Sequence, residues 1–320
     1  MNESRPLVVV CRTLLPAGLD LLTERYEVEV GGLEATRSQL LELVPGASAL
    51  VPDPTVPVDG ELLDAAGEGL KVSANFAVGY DNVDLDACRE RGVIVTNTPD
   101  VLTQATAELA LALTLAAGRR MSDAERDLRE GRWEGWDPAA YRGLELRGST
   151  VGVVGMGRIG GRYAEMVAAL GATVLYTARS PKPELEQAIG ARRVELAELL
   201  NESEVVSVHA PASEETHRLI GEAEIDLIGP EGVLVNTSRG PLVDADAVAE
   251  ALKDGRLGAA GLDVYEGEPN VPPSLLDAPR AVLLPHIGSA TVPSRDGMAR
   301  TAAVNAIAVL EGEEPPNRVA

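Results

Sequence analysis

Short runs of apolar and β-branched residues alternate along the chain with longer segments in which apolar residues recur at helical spacing. Because parallel strands are joined by crossover helices, this alternation is typical of an α/β fold. The sequence therefore predicts the α/β class. The predicted strands are Pro6–Cys11, Ala47–Val51, Lys71–Asn75, Gly92–Thr96, Val151–Val154, Val205–His209, Gly232–Asn236, Ala259–Val264 and Ala281–Leu284.

Two segments carry the pattern of long helices. Thr103–Arg119 is rich in alanine and leucine and has Glu108 as its only charge before the end, which predicts a largely buried helix. Ser294–Glu311 is the last helix-like stretch. A polar segment that contains both tryptophans, Glu130–Gly148, separates a first αβ unit from a second.

Length and composition narrow the class of protein further. At 320 residues, of which 45% are hydrophobic, the chain is expected to form two domains. The start MNESRP lacks the apolar core of a signal peptide, and the longest apolar run, Leu109–Gly118, is far short of the roughly 18 residues that a membrane span needs. We therefore expect a cytoplasmic protein.

Charge and cysteine content exclude further classes. The net charge of -22 repels polyanions, and no basic stripe is present, so nucleic acid is not an expected partner. Cys11 and Cys88 are the only cysteines, and neither has the spacing of a zinc ligand. The sequence therefore predicts a reducing compartment and no metal.

The pattern G-x-G-x-x-G is formed by Gly155, Gly157 and Gly160, between an apolar run and a helix-like segment. In this context the first glycine permits a tight turn, the second lets a pyrophosphate approach the backbone, and the third lets helix and strand pack closely. The start of the helix then attracts the phosphates. A turn that uses glycine for packing alone is the alternative.

The segment Ser149–Arg179 reads as a strand, a glycine turn, a helix and a second strand, and the end of this second strand indicates which dinucleotide is bound. An acidic side chain at this place would accept from the ribose 2′-OH of NAD and repel a 2′-phosphate. Here the sequence reads Tyr176-Thr-Ala-Arg-Ser-Pro-Lys182, and its first carboxylate is Glu184. Arg179 lies 19 residues after Gly160 (179 minus 160), near the usual spacing of about 20. NADP(H) is therefore predicted to be preferred, with NAD(H) possible; an ordinary surface arginine is the alternative.

Three charged residues follow predicted strands in glycine-rich surroundings: Arg239 in NTSRG, Glu268 in GLDVYEGEP and His286 in LPHIGSAT. A guanidinium can hold the carboxylate of a 2-keto acid in a planar fork. Histidine is an acid that works near neutral pH, and a neighbouring carboxylate favours its charged form. These residue types predict reduction of a keto acid. Singly, each residue has a structural alternative, as a surface charge or a strand cap.

Around these residues, and over nearly the whole chain, the sequence resembles the D-2-hydroxyacid dehydrogenase family. The family's substrate loop is similar to AVGYDNVD (Ala77–Asp84), its hinge to NTPDVLTQATAELA (Asn97–Ala110), and its arginine, glutamate and histidine to the three charged residues above. Within the family the chain looks most like the glyoxylate/hydroxypyruvate reductases, because of LYTARSPKP (Leu175–Pro183) and PHIGSAT (Pro285–Thr291).

The resemblance implies two Rossmann-like domains with a cleft between them and a homodimer. A flavodoxin-like substrate domain would comprise residues 1–100 plus 286–320, and an inserted dinucleotide-binding domain residues 101–285. The substrate carboxylate would lie against the N–H groups of Val78 and Gly79. The implied cofactor-binding residues are Gly155, Gly157, Arg158, Ile159, Gly160, Ala178, Arg179, Ser180, Lys182, His209, Pro211, Thr237, Asp263 and Gly288.

Some residues leave alternatives open. The glyoxylate reductases usually carry leucines in a substrate-contacting loop where this chain has Asp53 and Pro54, so other keto acids, as in the phosphoglycerate and lactate enzymes, remain alternatives. His209 is read either as a cofactor contact or as a packing residue, and Asp263 either as a contact to the nicotinamide amide or as a strand cap. A dinucleotide-sensing binding protein of the same fold is the rival from another class.

Overall fold

The computed structural model describes residues 5–320 and divides the chain into two compact units. The first unit comprises Met1–Leu102 and Ser289–Ala320, and the second comprises Thr103–Gly288. Each unit is an α/β structure around one parallel sheet, so the predicted fold class is confirmed.

The first unit contains a five-stranded sheet. Its strands are β1 (Leu7–Val10), β2 (Glu27–Val30), β3 (Ala47–Val51), β4 (Val72–Ala74) and β5 (Ile94–Thr96). Its helices are α1 (Pro16–Thr23), α2 (Arg37–Leu43), α3 (Gly60–Ala66), α4 (Leu85–Glu90) and α13 (Val292–Leu310). The spatial order β2-β1-β3-β4-β5 is the flavodoxin-like order, as predicted.

Helix α13 belongs to the first unit although it is the last helix of the chain. It packs against α1 at Gly18, where a Cβ atom would lie 2.2 Å from the carbonyl oxygen of Ala299. Only glycine permits two helices to approach so closely at this point. The C-terminal segment is thereby built into the unit that begins the chain.

The second unit contains a seven-stranded sheet. Its strands are β6 (Thr150–Val154), β7 (Thr173–Thr177), β8 (Arg192–Arg193), β9 (Val205–Val208), β10 (Val233–Asn236), β11 (Ala259–Leu262) and β12 (Ala281–Leu283). Its helices are α5 (Thr103–Gly118), α6 (Met121–Arg129), α7 (Arg158–Ala169), α8 (Pro183–Ile189), α9 (Leu196–Glu202), α10 (Glu222–Ile228), α11 (Ala245–Asp254) and α12 (Pro273–Leu276).

The order of this second sheet is β12-β11-β10-β9-β6-β7-β8, and every pairing is parallel. The chain starts at β6, runs to one edge through β7 and β8, and then crosses over to β9. The switch of direction therefore lies between β6 and β9. In open α/β sheets, ligands bind outside the carboxyl ends of the strands at such a switch point.

Burial follows the predicted pattern in most strands. The central strands β6, β9, β10 and β11 are buried over nearly their whole length, which is why they read as continuous apolar runs in the sequence. Strands β2 and β8 were not predicted, because both are short, exposed edge strands with charged residues. Among the described residues, no helix is long and apolar enough to cross a membrane.

Candidate active site

The glycine-rich loop joins β6 to α7 at the switch point. Gly155 has a φ of +98°, which a side chain would strain, and a Cβ on Gly160 would lie 2.1 Å from the Gly155 carbonyl oxygen. A Cβ on Gly157, in contrast, would meet no atom within 4 Å. The loop is therefore closely packed on one side and open at its second glycine, directly before the first turn of α7. This is the arrangement that admits a pyrophosphate.

The end of β7 presents positive charge. Ala178 is half-buried with its small side chain, Arg179 and Ser180 are exposed, and Lys182 is half-buried. The carbonyl oxygen of Ala178 accepts hydrogen bonds from Nε and Nη2 of Arg193, at 3.1 and 2.8 Å. Arg193 was not predicted as a site residue, because it lies on strand β8, whose two arginines carry no strand pattern in the sequence. The ends of β7 and β8 therefore form a corner of the unit with three cationic side chains, those of Arg179, Lys182 and Arg193.

His209 lies behind the glycine loop, since a Cβ on Gly155 would be 2.7 Å from the His209 carbonyl carbon. Its Nε2 is 2.9 Å from the hydroxyl of Ser207, and its ring lies 5.2 Å from the ring of Tyr163. Burial lowers the pKa of His209 to about 3, so the imidazole is neutral at physiological pH. Its packing role is thus visible, and its contact with a cofactor stays a prediction.

Other implied cofactor-binding residues surround the same strand ends. Arg158 and Ile159 begin α7, and Pro211 is exposed after β9. Thr237 follows β10; it is buried, and its hydroxyl has no hydrogen-bond partner among the described residues. A buried polar atom without a partner is costly, which marks a place where a ligand can supply the missing bond.

Arg239 stands in a turn after β10 that other polar groups hold in shape. The side chain of Asn236 donates to the Arg239 carbonyl at 2.9 Å and accepts from the Ser238 N–H at 3.0 Å. A Cβ on Gly240 would lie 1.9 Å from the backbone of Tyr265, so only glycine lets this turn contact the segment before Glu268. The sequence NTSRG thereby brings a half-buried arginine towards the glutamate.

Glu268 and His286 are joined by a hydrogen bond in which Oε2 lies 2.7 Å from Nδ1. The other carboxylate oxygen, Oε1, accepts the N–H of Tyr265 at 2.9 Å. Burial by itself raises the pKa of Glu268, but the hydrogen bonds from His286 and Tyr265 and the charge of Arg239 outweigh it and lower the pKa. An ionised carboxylate only accepts hydrogen bonds, so Nδ1 carries a proton, and Nε2 is the ring nitrogen that is not bound to the glutamate.

Asp263 holds the backbone on which His286 stands. Its buried carboxylate accepts the N–H groups of Ile287 and Gly288 at 2.8 and 2.7 Å, and its carbonyl accepts the N–H of His286 at 2.8 Å. His286 has a left-handed φ of +53°, which these three bonds stabilise. Burial raises the pKa of Asp263, with the two amides opposing it. The contacts fit the strand-cap alternative, and the nicotinamide contact stays a prediction.

Val78 and Gly79 lie in the first unit, in the loop after β4. Within residues 5–320, no group accepts a hydrogen bond from either N–H. The nearby Asp53 pairs with Arg12 and accepts the N–H of Thr55 at 2.9 Å, so this departure from the leucines of the glyoxylate reductases is part of a polar cluster. No group of acidic, histidine and cysteine side chains in the described residues is arranged to hold a metal.

The sequence from residue 111 to 288 matches the family described as "D-isomer specific 2-hydroxyacid dehydrogenase, NAD binding domain". A glyoxylate reductase of Thermococcus litoralis is 44% identical over 98% of this chain and 97% of its own. A glyoxylate reductase of Aeropyrum pernix is also 44% identical, over 98% of this chain and 96% of its own.

The chain is also similar to solved structures over nearly its whole length. A protein of Thermus thermophilus superposes with a TM-score of 0.92 at 47% identity, covering 98% of this chain and all of that one. The NADPH-dependent glyoxylate/hydroxypyruvate reductase of Sinorhizobium meliloti, solved with NADP and malonate, has a TM-score of 0.87 at 36% identity, covering 99% and 97% of the two chains.

The fold and the site thus define a dinucleotide-dependent oxidoreductase. The chain belongs to the D-isomer specific 2-hydroxyacid dehydrogenase family. The predicted family, enzyme class and nicotinamide dinucleotide cofactor are thereby confirmed.

Proposed function

We propose that this enzyme reduces a small 2-keto acid, glyoxylate or hydroxypyruvate, to the 2-hydroxy acid and prefers NADPH over NADH. The observation that carries the proposal is the Glu268–His286 pair, with Arg239 on the neighbouring strand end. The imidazole can donate a proton to the keto oxygen of a 2-keto acid, and the guanidinium can bind the carboxylate beside that carbonyl.

Binding of the substrate uses the arginine and the amide loop. The carboxylate of the keto acid accepts the N–H groups of Val78 and Gly79, and Arg239 bridges the carboxylate and the keto oxygen. The guanidinium also withdraws electrons from the carbonyl, which makes its carbon a better hydride acceptor.

The proton comes from His286. When bound, the reduced nicotinamide supplies the hydride for the keto carbon. As the C=O electron pair moves onto oxygen, the protonated His286 donates from Nε2 to the developing alkoxide and becomes neutral. Nδ1 keeps its proton throughout, because Glu268 remains its hydrogen-bond acceptor. The carboxylate therefore stabilises the charged acid without taking part in the transfer.

The chain's own residues fit the dinucleotide. The open surface at Gly157 accommodates a pyrophosphate. The Thr237 hydroxyl, which has no partner among the described residues, follows β10, two strands along the sheet from β6. For the preference, the support is the tip of β7, where Arg179 and Lys182 are available for a 2′-phosphate and the acidic side chain of an NAD site is replaced by Ala178. The relative from Sinorhizobium meliloti is described as NADPH-dependent.

We also propose a cytoplasmic homodimer. Trp133 and Trp136 are 57% and 84% exposed after α6, and Leu128 on the same helix is 60% exposed. Exposed large apolar side chains within one segment of the chain fit an association surface. The buried free thiols of Cys11 and Cys88 fit a reducing compartment.

The proposed function is tested with a panel of 2-keto acids, assayed with NADPH and NADH, for the wild type and His286→Ala. We expect glyoxylate or hydroxypyruvate to be reduced fastest, and kcat of the variant to fall by roughly two to four powers of ten while dinucleotide binding is retained. Near wild-type turnover by His286→Ala would remove the histidine from the mechanism. Dinucleotide binding without turnover of any keto acid would instead favour a sensing protein.

A further inference from the structure

Three successive carbonyl groups of the substrate loop are held from outside the loop. The Ala77 oxygen accepts the N–H of Thr98 at 2.9 Å, the Val78 oxygen accepts Nδ2 of Asn97 at 2.8 Å, and the Gly79 oxygen accepts Nδ2 of Asn75 at 2.8 Å. Two of the three donors are asparagine side chains. The direction of these peptide groups is therefore fixed by two side chains and one main-chain N–H, and not by the hydrogen bonds of a helix or strand.

The three bonds also fix the direction of the N–H groups. In a trans peptide the C=O and the N–H point in opposite directions. Holding the Ala77, Val78 and Gly79 carbonyls thus turns the N–H groups of Val78, Gly79 and Tyr80 away from their asparagine and threonine partners. In the described part of the chain these three N–H groups have no acceptor. The loop therefore presents a row of unpaired donors, which is a binding place for an anion.

Asn75 is itself held firmly. It is 0% exposed, and its amide exchanges hydrogen bonds of 3.2 Å with the amide of Asn82. Asn82 in turn donates to the carbonyl oxygens of Asp53 and Val56, at 3.1 and 3.0 Å. When the polar groups of a buried network are all hydrogen-bonded, the network favours a single set of side-chain orientations. Asn75 therefore cannot turn its Nδ2 elsewhere without breaking other hydrogen bonds.

We propose that Asn75 is a positioning residue for the substrate carboxylate: its amide holds the Gly79 peptide so that the loop N–H groups stay directed at the bound anion. The inference rests on the proposed function, which assigns the carboxylate to this loop. Asn75 does not contact the substrate. Its effect is to keep the donors aligned before binding, so that binding does not have to order the loop.

Such a role predicts a specific kinetic signature. The carboxylate does not change during the reaction, so its contacts stabilise the bound substrate and the transition state equally. Loss of such uniform binding raises KM and leaves kcat nearly unchanged. A residue that serves stability alone would lower the melting temperature without changing KM.

The test compares Asn75→Leu with Asn305→Leu. Both replace a fully buried asparagine with an apolar residue of similar size. Asn305 donates to the main-chain oxygen of Asn97 at 3.0 Å and touches none of the three loop carbonyls, which makes it a matched control. KM and kcat for glyoxylate, the inhibition constant of oxamate and the Kd of NADPH are measured for each variant.

For Asn75→Leu we expect KM and the oxamate inhibition constant to rise about tenfold or more, the range of a lost charge-assisted hydrogen bond, with kcat within about threefold and NADPH binding unchanged. For Asn305→Leu we expect both constants to stay within about twofold. Asn75→Ser, which is smaller and polar, replaces Asn75→Leu if the latter does not fold, with the same expected rise.

An unchanged KM in the Asn75 variant, or an equal rise in both variants, would overturn the positioning role while wild-type turnover leaves the proposed function intact. A wild type that neither reduces a keto acid nor binds oxamate would overturn the proposed function, and this inference with it.

Discussion

The Glu268 carboxylate lies 2.7 Å from Nδ1 of His286, while its other oxygen accepts the Tyr265 N–H. Tyr265 is itself anchored, since its hydroxyl lies 3.1 and 3.0 Å from the carbonyl oxygens of Leu262 and Leu284. These contacts connect the glutamate to the ends of β11 and β12. The position of the carboxylate beside the imidazole is thus fixed by hydrogen bonds that lead to the sheet.

Glu268→Gln is expected to shift the pH dependence of reduction. Because the pKa of Glu268 is lowered, its carboxylate is charged from mildly acidic pH upward. Its negative charge can therefore stabilise a protonated His286. Reduction needs the protonated acid, and therefore the rate falls as the pH rises. A neutral amide stabilises the imidazolium less, so this fall should move to lower pH.

The pH profile of kcat/KM for glyoxylate measures this shift. Glu266→Gln is the matched control, because Glu266 is two residues away and pairs instead with His217 and Arg218. A profile that stays in place in Glu268→Gln would mean that His286 keeps its proton without the carboxylate.

Arg239→Lys is expected to be harmful although the charge is kept. An ammonium group cannot reproduce the planar, two-pronged geometry of a guanidinium on a carboxylate. We expect kcat/KM for glyoxylate to fall at least about tenfold, equivalent to about 1.4 kcal/mol. Arg218→Lys, at an exposed arginine that pairs with Asp244, should have almost no effect. Equal activity in the Arg239 variant and wild type would show that Arg239 does not hold the substrate.

Two glycines of the cofactor loop are expected to behave differently. Gly157 has a φ of -80° and open space at its Cβ position, so Gly157→Ala should fold with a free energy of unfolding within about 1 kcal/mol of wild type. Its methyl group is expected to occupy the surface on which we place the pyrophosphate, and the Kd of NADPH should rise at least about tenfold.

In Gly160→Ala the new methyl group meets the Gly155 carbonyl oxygen, so this variant should lose about 1 to 3 kcal/mol of stability. Calorimetric titration and thermal unfolding measure the two effects separately. Normal NADPH affinity in Gly157→Ala would place the pyrophosphate elsewhere.

Cofactor preference is expected to reverse in the double variant Ala178→Asp with Arg179→Ala. In the wild type we expect contacts from Arg179 and Lys182 to a 2′-phosphate to favour NADPH by about tenfold to a few hundredfold in kcat/KM, after solvent screening. The introduced carboxylate repels that phosphate and accepts from the ribose 2′-OH of NADH.

The measurement is the ratio of kcat/KM for the two coenzymes. Arg192→Gln is a suitable control, because Arg192 lies beside the corner but pairs with Glu198 and Glu202. A wild type that uses NADH better than NADPH would refute the proposed preference and leave the keto-acid assignment standing.

Most strands were predictable because each is buried between helices and reads as a continuous apolar run. Residues Ala47–Val51, predicted as a strand, have those same bounds in the structure. Strand β2 was missed because its sequence, EVEV, is largely exposed, and β8 because it consists of two arginines. Both form only because a neighbouring strand offers backbone hydrogen bonds, and that neighbour is not visible in a local pattern.

The sequence by itself determined the kinds of chemistry: the glycine loop, the three charged residues and the family to which the chain belongs. These features can be recognised in short motifs, since each depends on residue types at fixed spacing. Only the tertiary structure decided which groups hold these residues in place. Asn75, Arg193 and Tyr265 donate side-chain hydrogen bonds to peptide carbonyl groups, and such bonds depend on the path of the backbone, which no local spacing encodes.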